Sequence, residues 1–175
     1  MIQVHNGVLE DHVAELIDSQ MKTVSWKYDY SSNRNVSPSR HWHVLCTENS
    51  SLDKKYTIEN EFDWVMPIWT SAMLKYDFRN TYNVDTFKRI YMNAHTHGIE
   101  PVMHKDDGDF TMIYYPRMDW KPKWGGGTLI DGQLVPYVGN RLVIFDAYLE
   151  HMAMPVPREC YELRSVIVFK CNRNV

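Results

Sequence analysis

The sequence predicts a mostly β fold with flanking helices, built around a β sandwich or barrel. Two observations carry this prediction. Helical periodicity is concentrated in the first 84 residues, whereas short β-type runs follow one another from Asp85 onward. Clusters of turn-forming residues, such as 106–109 and 125–127, separate these runs. Short strands between regular turn signals are typical of all-β sandwiches and barrels.

The chain begins with a short strand predicted at residues 2–4, followed by a helix. Leu9, Val13, Leu16 and Ile17 recur at the spacing of one helical face. A helix with such an apolar stripe packs it against a core.

Residues 24–30 alternate apolar and polar side chains and predict a strand, and residues 41–46 predict another. The segments 31–35 and 37–39 are rich in Ser, Asn and Pro and predict loops.

A second helix is predicted over residues 59–76. Pro67 interrupts its pattern, so we expect either a kink there or a helix that begins near this proline. The apolar side of this helix is Phe62, Val65, Trp69, Ala72 and Met73.

The β core is predicted from residue 85 to the end of the chain. Its strands are expected at 87–92, 110–115, 128–130, 141–146 and 163–169. No linker divides the sequence, so we expect one domain over residues 1–175. In it, residues 1–84 form a helix-containing support region for the core of residues 85–175.

Composition excludes several classes of protein. A formal charge of −3 argues against a protein that coats nucleic acid. No run of 18 apolar residues is present, so we expect no membrane span. The N-terminal residues lack the pattern of a secretory leader. Three cysteines without a CxxC pair indicate reduced thiols and a cytoplasmic protein.

The candidate metal ligands are His104, Asp106 and His151. His104 and Asp106 form the one His-x-Asp/Glu pattern of the chain, and residues i and i+2 of a strand point to the same side. His151 follows 47 residues after His104, behind the apolar strand 141–146. Two histidines and one carboxylate with open positions form the ligand set of non-haem Fe(II) oxygenases.

Arg164 is a candidate anion-binding residue. It lies 13 residues after His151 inside an apolar strand, where an arginine is costly unless it is paired. The sequence offers no obvious carboxylate partner, which favours an anionic ligand. The alternatives are an exposed edge strand, or Arg158 in the preceding loop as the anion-binding residue.

From about residue 90 to 169 the chain resembles the prolyl-hydroxylase-type 2-oxoglutarate- and Fe(II)-dependent oxygenases. The matching parts occur in the family's order. They are His104-Lys105-Asp106, the strand 111–115 with its paired tyrosines, the turn and strand 119–129, the strand 139–146, His151 and Arg164.

The resemblance implies a double-stranded β-helix, the jelly-roll of cupin-like proteins, with the metal centre in residues 85–175. It implies that His104, Asp106 and His151 are the catalytic iron ligands. Arg164 then forms a salt bridge with the distal (C5) carboxylate of 2-oxoglutarate, and the Tyr115 hydroxyl bonds the same carboxylate. Fe(II), 2-oxoglutarate and O2 are the implied cofactors and cosubstrates, with ascorbate as a further candidate.

The resemblance also implies the reaction. An amino-acid side chain is hydroxylated while 2-oxoglutarate and O2 give succinate and CO2. The expected substrate is a prolyl residue in a peptide or protein, or a free amino acid. Two alternatives stay open: a non-enzymatic metal-binding jelly-roll module, and a nucleic-acid-demethylating oxygenase. The negative charge disfavours the second alternative.

Two histidine pairs outside the triad have open roles. His41 with His43, and His95 with His97, each place two imidazoles on one side of an extended segment. Such pairs either bind zinc or lie at the surface, and the second pair is also a candidate for the substrate entrance. The residues left without an assigned role are Asn93, His95, His97 and Trp124.

Overall fold

The structure is a computed structural model that describes residues 1–31, 39–49 and 56–174. Within these ranges the chain forms a large antiparallel sheet of seven strands, a smaller one of three strands and a separate two-stranded hairpin. The fold is therefore mostly β with few helices, as predicted.

The strands lie in both halves of the chain. They are β1 Ile2–Asn6, β2 Lys27–Tyr30, β3 His41–Leu45, β4 Thr47–Asn49, β5 Tyr56–Ile58, β6 Phe87–His95, β7 Phe110–Tyr115, β8 Thr128–Ile130, β9 Gln133–Val135, β10 Arg141–Asp146, β11 His151–Ala153 and β12 Arg164–Cys171. The large sheet has the order β1-β10-β7-β12-β6-β3-β2, and the small sheet has the order β11-β8-β9.

The two sheets together form a double-stranded β-helix. In the large sheet, β10, β7, β12 and β6 are the jelly-roll strands, and β1, β3 and β2 extend it at its edges. In the small sheet, His104 pairs with His151 on the free side of β11 and replaces a fourth strand. The His104 amide donates to the His151 carbonyl at 3.0 Å, and the His151 amide donates to the His104 carbonyl at 2.9 Å.

The large sheet is buried on both faces because alternate residues of its strands enter two different cores. In β7, Ile113 and Tyr115 face the small sheet, together with Ile130 and Val135 from that sheet. Met112 lies in the other core, beneath the helices. This explains why β7 and β12 have no exposed position along their length.

Three helices pack on the outer face of the large sheet and form the second core with it. They are α1 (Asp11–Thr23), α2 (Met66–Lys75) and α3 (Phe78–Tyr82). A 3-10 helix over Asn60–Val65 precedes α2, and Pro67 occupies the first turn of α2. Of the two alternatives for the helix predicted over 59–76, the one that begins near Pro67 is therefore confirmed, whereas residues 60–65 form a 3-10 helix. A proline in the first turn gives up no helical hydrogen bond.

The predicted apolar face of the first helix is wrong at one residue. Leu16 is 54% exposed, and the buried residues of the helix are Ala14, Ile17, Asp18 and Met21. Leu16 and Ile17 are adjacent along the helix and point about 100° apart, so only one of them faces the sheet.

Several elements differ from the sequence prediction. The strand predicted at 24–30 begins only at Lys27, and the strand predicted at 87–92 continues to His95. Residues 32–38 of the predicted loops lie outside the described residues. The elements that the sequence did not predict are β4, β5, β9, β11 and α3.

No helix of the described residues is long and apolar enough to cross a membrane. Cys46, Cys160 and Cys171 are all buried and free.

Asn140 fastens the connection between β1 and α1 to the β-helix. Its side-chain carbonyl accepts from the Leu9 amide at 3.0 Å, and its side-chain amide donates to the Leu9 carbonyl at 2.8 Å. The Tyr114 hydroxyl bonds the same side-chain oxygen at 3.2 Å. Asn140 has a φ of 57°, a conformation that asparagine tolerates better than most residues.

We expect Asn140→Ala to lower the free energy of unfolding by about 2–4 kcal/mol, because buried polar groups of Leu9 lose their partners. Urea denaturation followed by circular dichroism measures the change. The matched control is Asn80→Ala on the surface, which should stay within about 0.5 kcal/mol of the parent protein. Equal losses in the two variants would contradict the anchoring role of Asn140.

Candidate metal centre

The structure brings the three predicted metal ligands together. The ligand atoms of His104, Asp106 and His151 all lie within 4.8 Å of one another, and no other such group of three occurs among the described residues. The His151 Nε2 atom is 3.1 Å from Asp106 Oδ2, and the His104 Nε2 atom is 3.7 Å from Asp106 Oδ1. The pairing of His104 with β11 puts the two imidazoles side by side, with ring centroids 4.4 Å apart.

Hydrogen bonds fix the tautomer of both imidazoles. The Nδ1 atom of His104 donates to the Val102 carbonyl at 2.9 Å, and the Nδ1 atom of His151 donates to the Leu149 carbonyl at 2.9 Å. Since a carbonyl only accepts, the proton of each neutral ring lies on Nδ1 and the lone pair lies on Nε2. Both lone pairs are therefore on the nitrogens that face Asp106.

Burial keeps these imidazoles in the form that binds a metal ion. Burial, followed by the neighbouring His151 ring, lowers the pKa of His104 to about 4. Burial also lowers the pKa of His151. A neutral imidazole is the ligand form, so the donor set fits a divalent cation such as Fe(II).

Thr111 and Lys170 both contact the Asp106 carboxylate and restrain it. The Thr111 hydroxyl donates to Asp106 Oδ2 at 2.7 Å, and the Lys170 ammonium forms an ion pair with the same oxygen. Lys170 also donates to Thr111 Oγ1 at 3.2 Å and is 1% exposed. Sequence reasoning missed both residues. The available signal was that Lys170 shares one face of β12 with Arg164, an even number of residues away.

Arg164 is buried at the first position of β12, the strand that also carries Lys170. Its side chain is 2% exposed, which excludes the alternative of an exposed edge strand. Its Nε atom donates to the Gly126 carbonyl at 2.5 Å, and Nη2 donates to the Gly127 carbonyl and to Thr128 Oγ1, both at 3.3 Å. Among the described residues no carboxylate pairs with Arg164. The rival residue Arg158 is exposed in a turn.

Tyr115 is linked to Arg164 through the Thr128 hydroxyl, which both side chains contact. The Tyr115 hydroxyl donates to Thr128 Oγ1 at 2.7 Å, and Tyr115 itself is fully buried. Thr128 lines the cavity beside Arg164. A direct bond from Tyr115 to a bound carboxylate stays a prediction. Thr128 was missed from sequence, where it is simply the first residue after three glycines.

One cavity connects the metal centre to Arg164. Both the triad and Arg164 line it. Its wall also includes the apolar side chains of Ile113, Val166 and Val168. The cavity therefore extends from the three candidate metal ligands to Arg164.

The remaining sequence candidates have different positions. His41 and His95 are buried in the cavity wall, with ring centroids 4.8 Å apart. The Nδ1 atom of His43 donates to Asn93 Oδ1 at 2.8 Å. His97 is exposed in a turn, so it does not share a site with His95.

Trp124 lies in a short 3-10 helix, Pro122–Trp124, that leads into the glycines. Its ring meets the ring of Trp120 edge-on at 5.2 Å. Trp120 in turn donates from Nε1 to the Gly125 carbonyl at 3.0 Å. These contacts hold the glycine segment against the barrel beside Arg164.

Comparison with solved structures places this architecture among oxygenases. An oxidoreductase of the 2OG-Fe(II) oxygenase family from Burkholderia pseudomallei has a TM-score of 0.73 and 12% identity, over 99% of this chain and 85% of the other. A prolyl hydroxylase from Trichoplax adhaerens, in complex with a peptide fragment of the oxygen degradation domain of hypoxia inducible factor, has a TM-score of 0.69. It is 14% identical, over 98% of this chain and 83% of the other.

A third match is a prolyl-4-hydroxylase from Pseudomonas putida, with a TM-score of 0.64 and 12% identity over 99% of this chain and 92% of the other. No protein-family model and no curated protein matches the sequence. The chain has the fold of the prolyl hydroxylases and 2-oxoglutarate/Fe(II) oxygenases. The predicted double-stranded β-helix is confirmed, and it carries an HxD…H triad.

We expect His104→Ala and Asp106→Ala to lose Mn(II) binding, used here as a stable substitute for Fe(II). The loss of one of three ligands should exceed the roughly 10–100-fold effect of losing a residue that only supports a ligand. Calorimetric titration of the apoprotein measures it. His97→Ala is the matched control, because that imidazole lies in an exposed turn. Unchanged affinity in both triad variants would place the metal elsewhere.

Gly126 is expected to be essential for the approach of Arg164 to the glycine carbonyls. At its φ of +69°, a Cβ atom would lie 3.0 Å from Val156 Cγ1, 3.1 Å from Trp120 Cζ2 and 3.3 Å from Arg164 Cγ. Gly132 is the matched control position. Its φ of +79° strains any side chain in the same way, but a Cβ atom there would have no neighbour within 4 Å.

Gly126→Ala should therefore reduce the free energy of unfolding by about 1–3 kcal/mol more than Gly132→Ala. Urea denaturation of the two variants measures the difference. If the variants are equally destabilised, strain alone explains the requirement and the contacts of Gly126 are unimportant.

Proposed function

We propose that this protein is an Fe(II)- and 2-oxoglutarate-dependent dioxygenase that hydroxylates an amino-acid side chain, with a prolyl residue of a peptide or protein as the expected substrate. The observation that carries the proposal is the cavity with the His104, Asp106 and His151 triad at one end and the buried Arg164 at the other. A 2-oxo dicarboxylic acid has complementary ends: a chelating 2-oxo acid and a distal carboxylate.

The triad would hold Fe(II) through the two Nε2 atoms and the Asp106 carboxylate. When bound, the iron supplies the activation of O2 that couples oxidation of 2-oxoglutarate to hydroxylation. Two histidines and one carboxylate leave coordination positions open for the cosubstrate and O2. Thr111 and Lys170 restrain the Asp106 carboxylate, which keeps its orientation toward the two rings.

Arg164 and Thr128 would bind the distal carboxylate of 2-oxoglutarate. A threonine hydroxyl has one donor and two acceptor positions. Thr128 Oγ1 accepts from Tyr115 and from Arg164, so its proton is directed to a third partner. A carboxylate beside the guanidinium supplies that partner. Tyr115 thus acts on the cosubstrate through Thr128 in this proposal.

The apolar middle of the cavity suits the two methylene groups of 2-oxoglutarate. The side chains of Ile113, Val166 and Val168 would contact these methylene groups. A low dielectric strengthens the attraction between Arg164 and a bound carboxylate. The same walls hold the cosubstrate in one orientation, with its 2-oxo acid end toward the triad.

A prolyl substrate is the first to test because two of the structural relatives are prolyl hydroxylases, one of them in complex with a peptide. We therefore infer a peptide or protein partner. The three free thiols support a cytoplasmic location for the enzyme. Ascorbate is included in the assays as a candidate reductant.

The experiment that tests the proposal measures succinate formed from 2-oxoglutarate in air with added Fe(II). Assays are run without substrate and with proline-containing peptides. We expect turnover in the parent protein and none in His151→Ala. Arg164→Ala should keep its metal affinity but need about tenfold or more 2-oxoglutarate, because a charge-assisted pair is lost.

Calorimetric binding of 2-oxoglutarate to the Mn(II)-loaded protein accompanies the turnover assay. Absence of both turnover and binding would overturn the proposal in favour of a metal-binding jelly-roll without this chemistry. Unchanged binding in Arg164→Ala would assign the anion-binding role to another residue.

A further inference from the structure

A second cavity reaches the metal centre beside β6. Two of the candidate metal ligands, His104 and Asp106, form part of its lining, so a molecule in this cavity lies next to the metal position. Lys105, which stands between these two ligands in the chain, also lines it. The contribution of β6 includes Arg89 and Tyr91. This cavity therefore offers room beside the metal for a second reactant.

Arg89 is held at this cavity by two contacts. Its Nη2 atom donates to Asp107 Oδ1 at 3.1 Å, and its guanidinium carbon lies 5.3 Å from the centre of the Tyr91 ring. The Arg89 side chain is nevertheless 36% exposed. A guanidinium has five N–H donors in a planar fork, so the bond to Asp107 leaves donors for a ligand. Arg89 is therefore an oriented cation that an anion can reach.

Lys105 adds a second accessible cation. Its side chain is exposed, and no carboxylate pairs with it among the described residues. The Asp107 carboxylate is already shared between Arg89 and Lys88, whose Nζ atom lies 2.7 Å from Asp107 Oδ2. Since Asp106 is assigned to the metal, positive charge exceeds negative charge around this cavity, although the whole chain carries a charge of −3. Such a local excess favours an anionic partner.

We propose that the substrate to be hydroxylated carries a carboxylate close to the reacting carbon, and that Arg89 and Lys105 bind this carboxylate. This inference rests on the proposed function and names the substrate class of the same site. The two ends of 2-oxoglutarate are already assigned to the metal and to Arg164. An anion beside Arg89 and Lys105 therefore belongs to the molecule that is oxidised.

A peptide with an acidic residue next to the target proline is the form of this substrate that we expect. Lys105 and Asp107 are exposed, so the cavity opens to solvent and a peptide chain can continue beyond it. The Tyr91 ring offers an aromatic surface beside the two cations. A free amino acid presents the same chemistry through its own carboxylate, and the experiment separates these two sources.

The test compares blocked peptides of sequence Ala-Asp-Pro-Ala, Ala-Asn-Pro-Ala and Ala-Lys-Pro-Ala, in which only the second residue changes the charge. Their binding to protein loaded with Mn(II) and 2-oxoglutarate is measured by calorimetry without O2. The aspartate peptide should bind at least about tenfold more tightly than the asparagine peptide, because charge-assisted hydrogen bonds are lost in the latter. L-proline and L-prolinamide form the corresponding pair for a free amino acid.

Substitutions show whether the cavity itself reads the charge. Arg89→Gln and Lys105→Gln should each reduce the preference for the aspartate peptide by about threefold or more, with the asparagine peptide unaffected. Lys105→Glu should bind the lysine peptide in preference to the aspartate peptide. The matched control is Lys88→Gln, which removes the same charge from a neighbouring residue that does not line the cavity and should keep the preference.

Other outcomes separate this inference from the proposed function. If neither the aspartate peptide nor L-proline binds more tightly than its neutral counterpart, the inference is wrong, and the proposed function stands as long as 2-oxoglutarate binds. If Lys88→Gln abolishes the preference as fully as Arg89→Gln and Lys105→Gln, overall charge attracts the peptide, which also overturns the inference. If 2-oxoglutarate does not bind to the parent protein, the proposed function itself falls.

Discussion

The positive charge of Arg164 is buried in the barrel, and its partners among the described residues are two backbone carbonyls and the Thr128 hydroxyl. A buried charge is costly unless it is solvated by polar groups, and the local structure is arranged to supply them. Three consecutive glycines let the chain direct two carbonyls at the guanidinium, and Gly126 leaves room for the arginine stem. Thr128 contributes a hydroxyl, and Tyr115 holds that hydroxyl in place.

The large sheet links this charged end to the rest of the molecule. Its strands carry apolar residues on both faces, so one face encloses the cavity while the other is covered by the helices. Removal of the helices would expose the outer core and loosen the strands that carry Arg164 and His95. The N-terminal region thus supports the site from behind, and β3 also brings His41 into the cavity wall.

Residues that follow local rules were predictable from the sequence. His104 and Asp106 were identified because alternate residues of an extended segment share a side, and Arg164 because an arginine in an apolar strand needs an anionic partner. Thr128, Lys170 and the contact between His41 and His95 depend on strand register and on pairing between distant segments. No single sequence reveals those pairings. The misassigned Leu16 shows the same limit, since its neighbour Ile17 is equally apolar.

The reciprocal backbone hydrogen bonds between His104 and His151 hold the main chains of two candidate ligands at a set separation. The site is therefore shaped by folding, in contrast to zinc fingers, whose ligands converge only around the ion. Loss of the ion would leave the coordination geometry intact, and ions would exchange without refolding. A rigid set of two imidazoles and one carboxylate accepts several first-row divalent ions. The relative abundance of these ions around the protein, more than its fold, would then determine which one it carries.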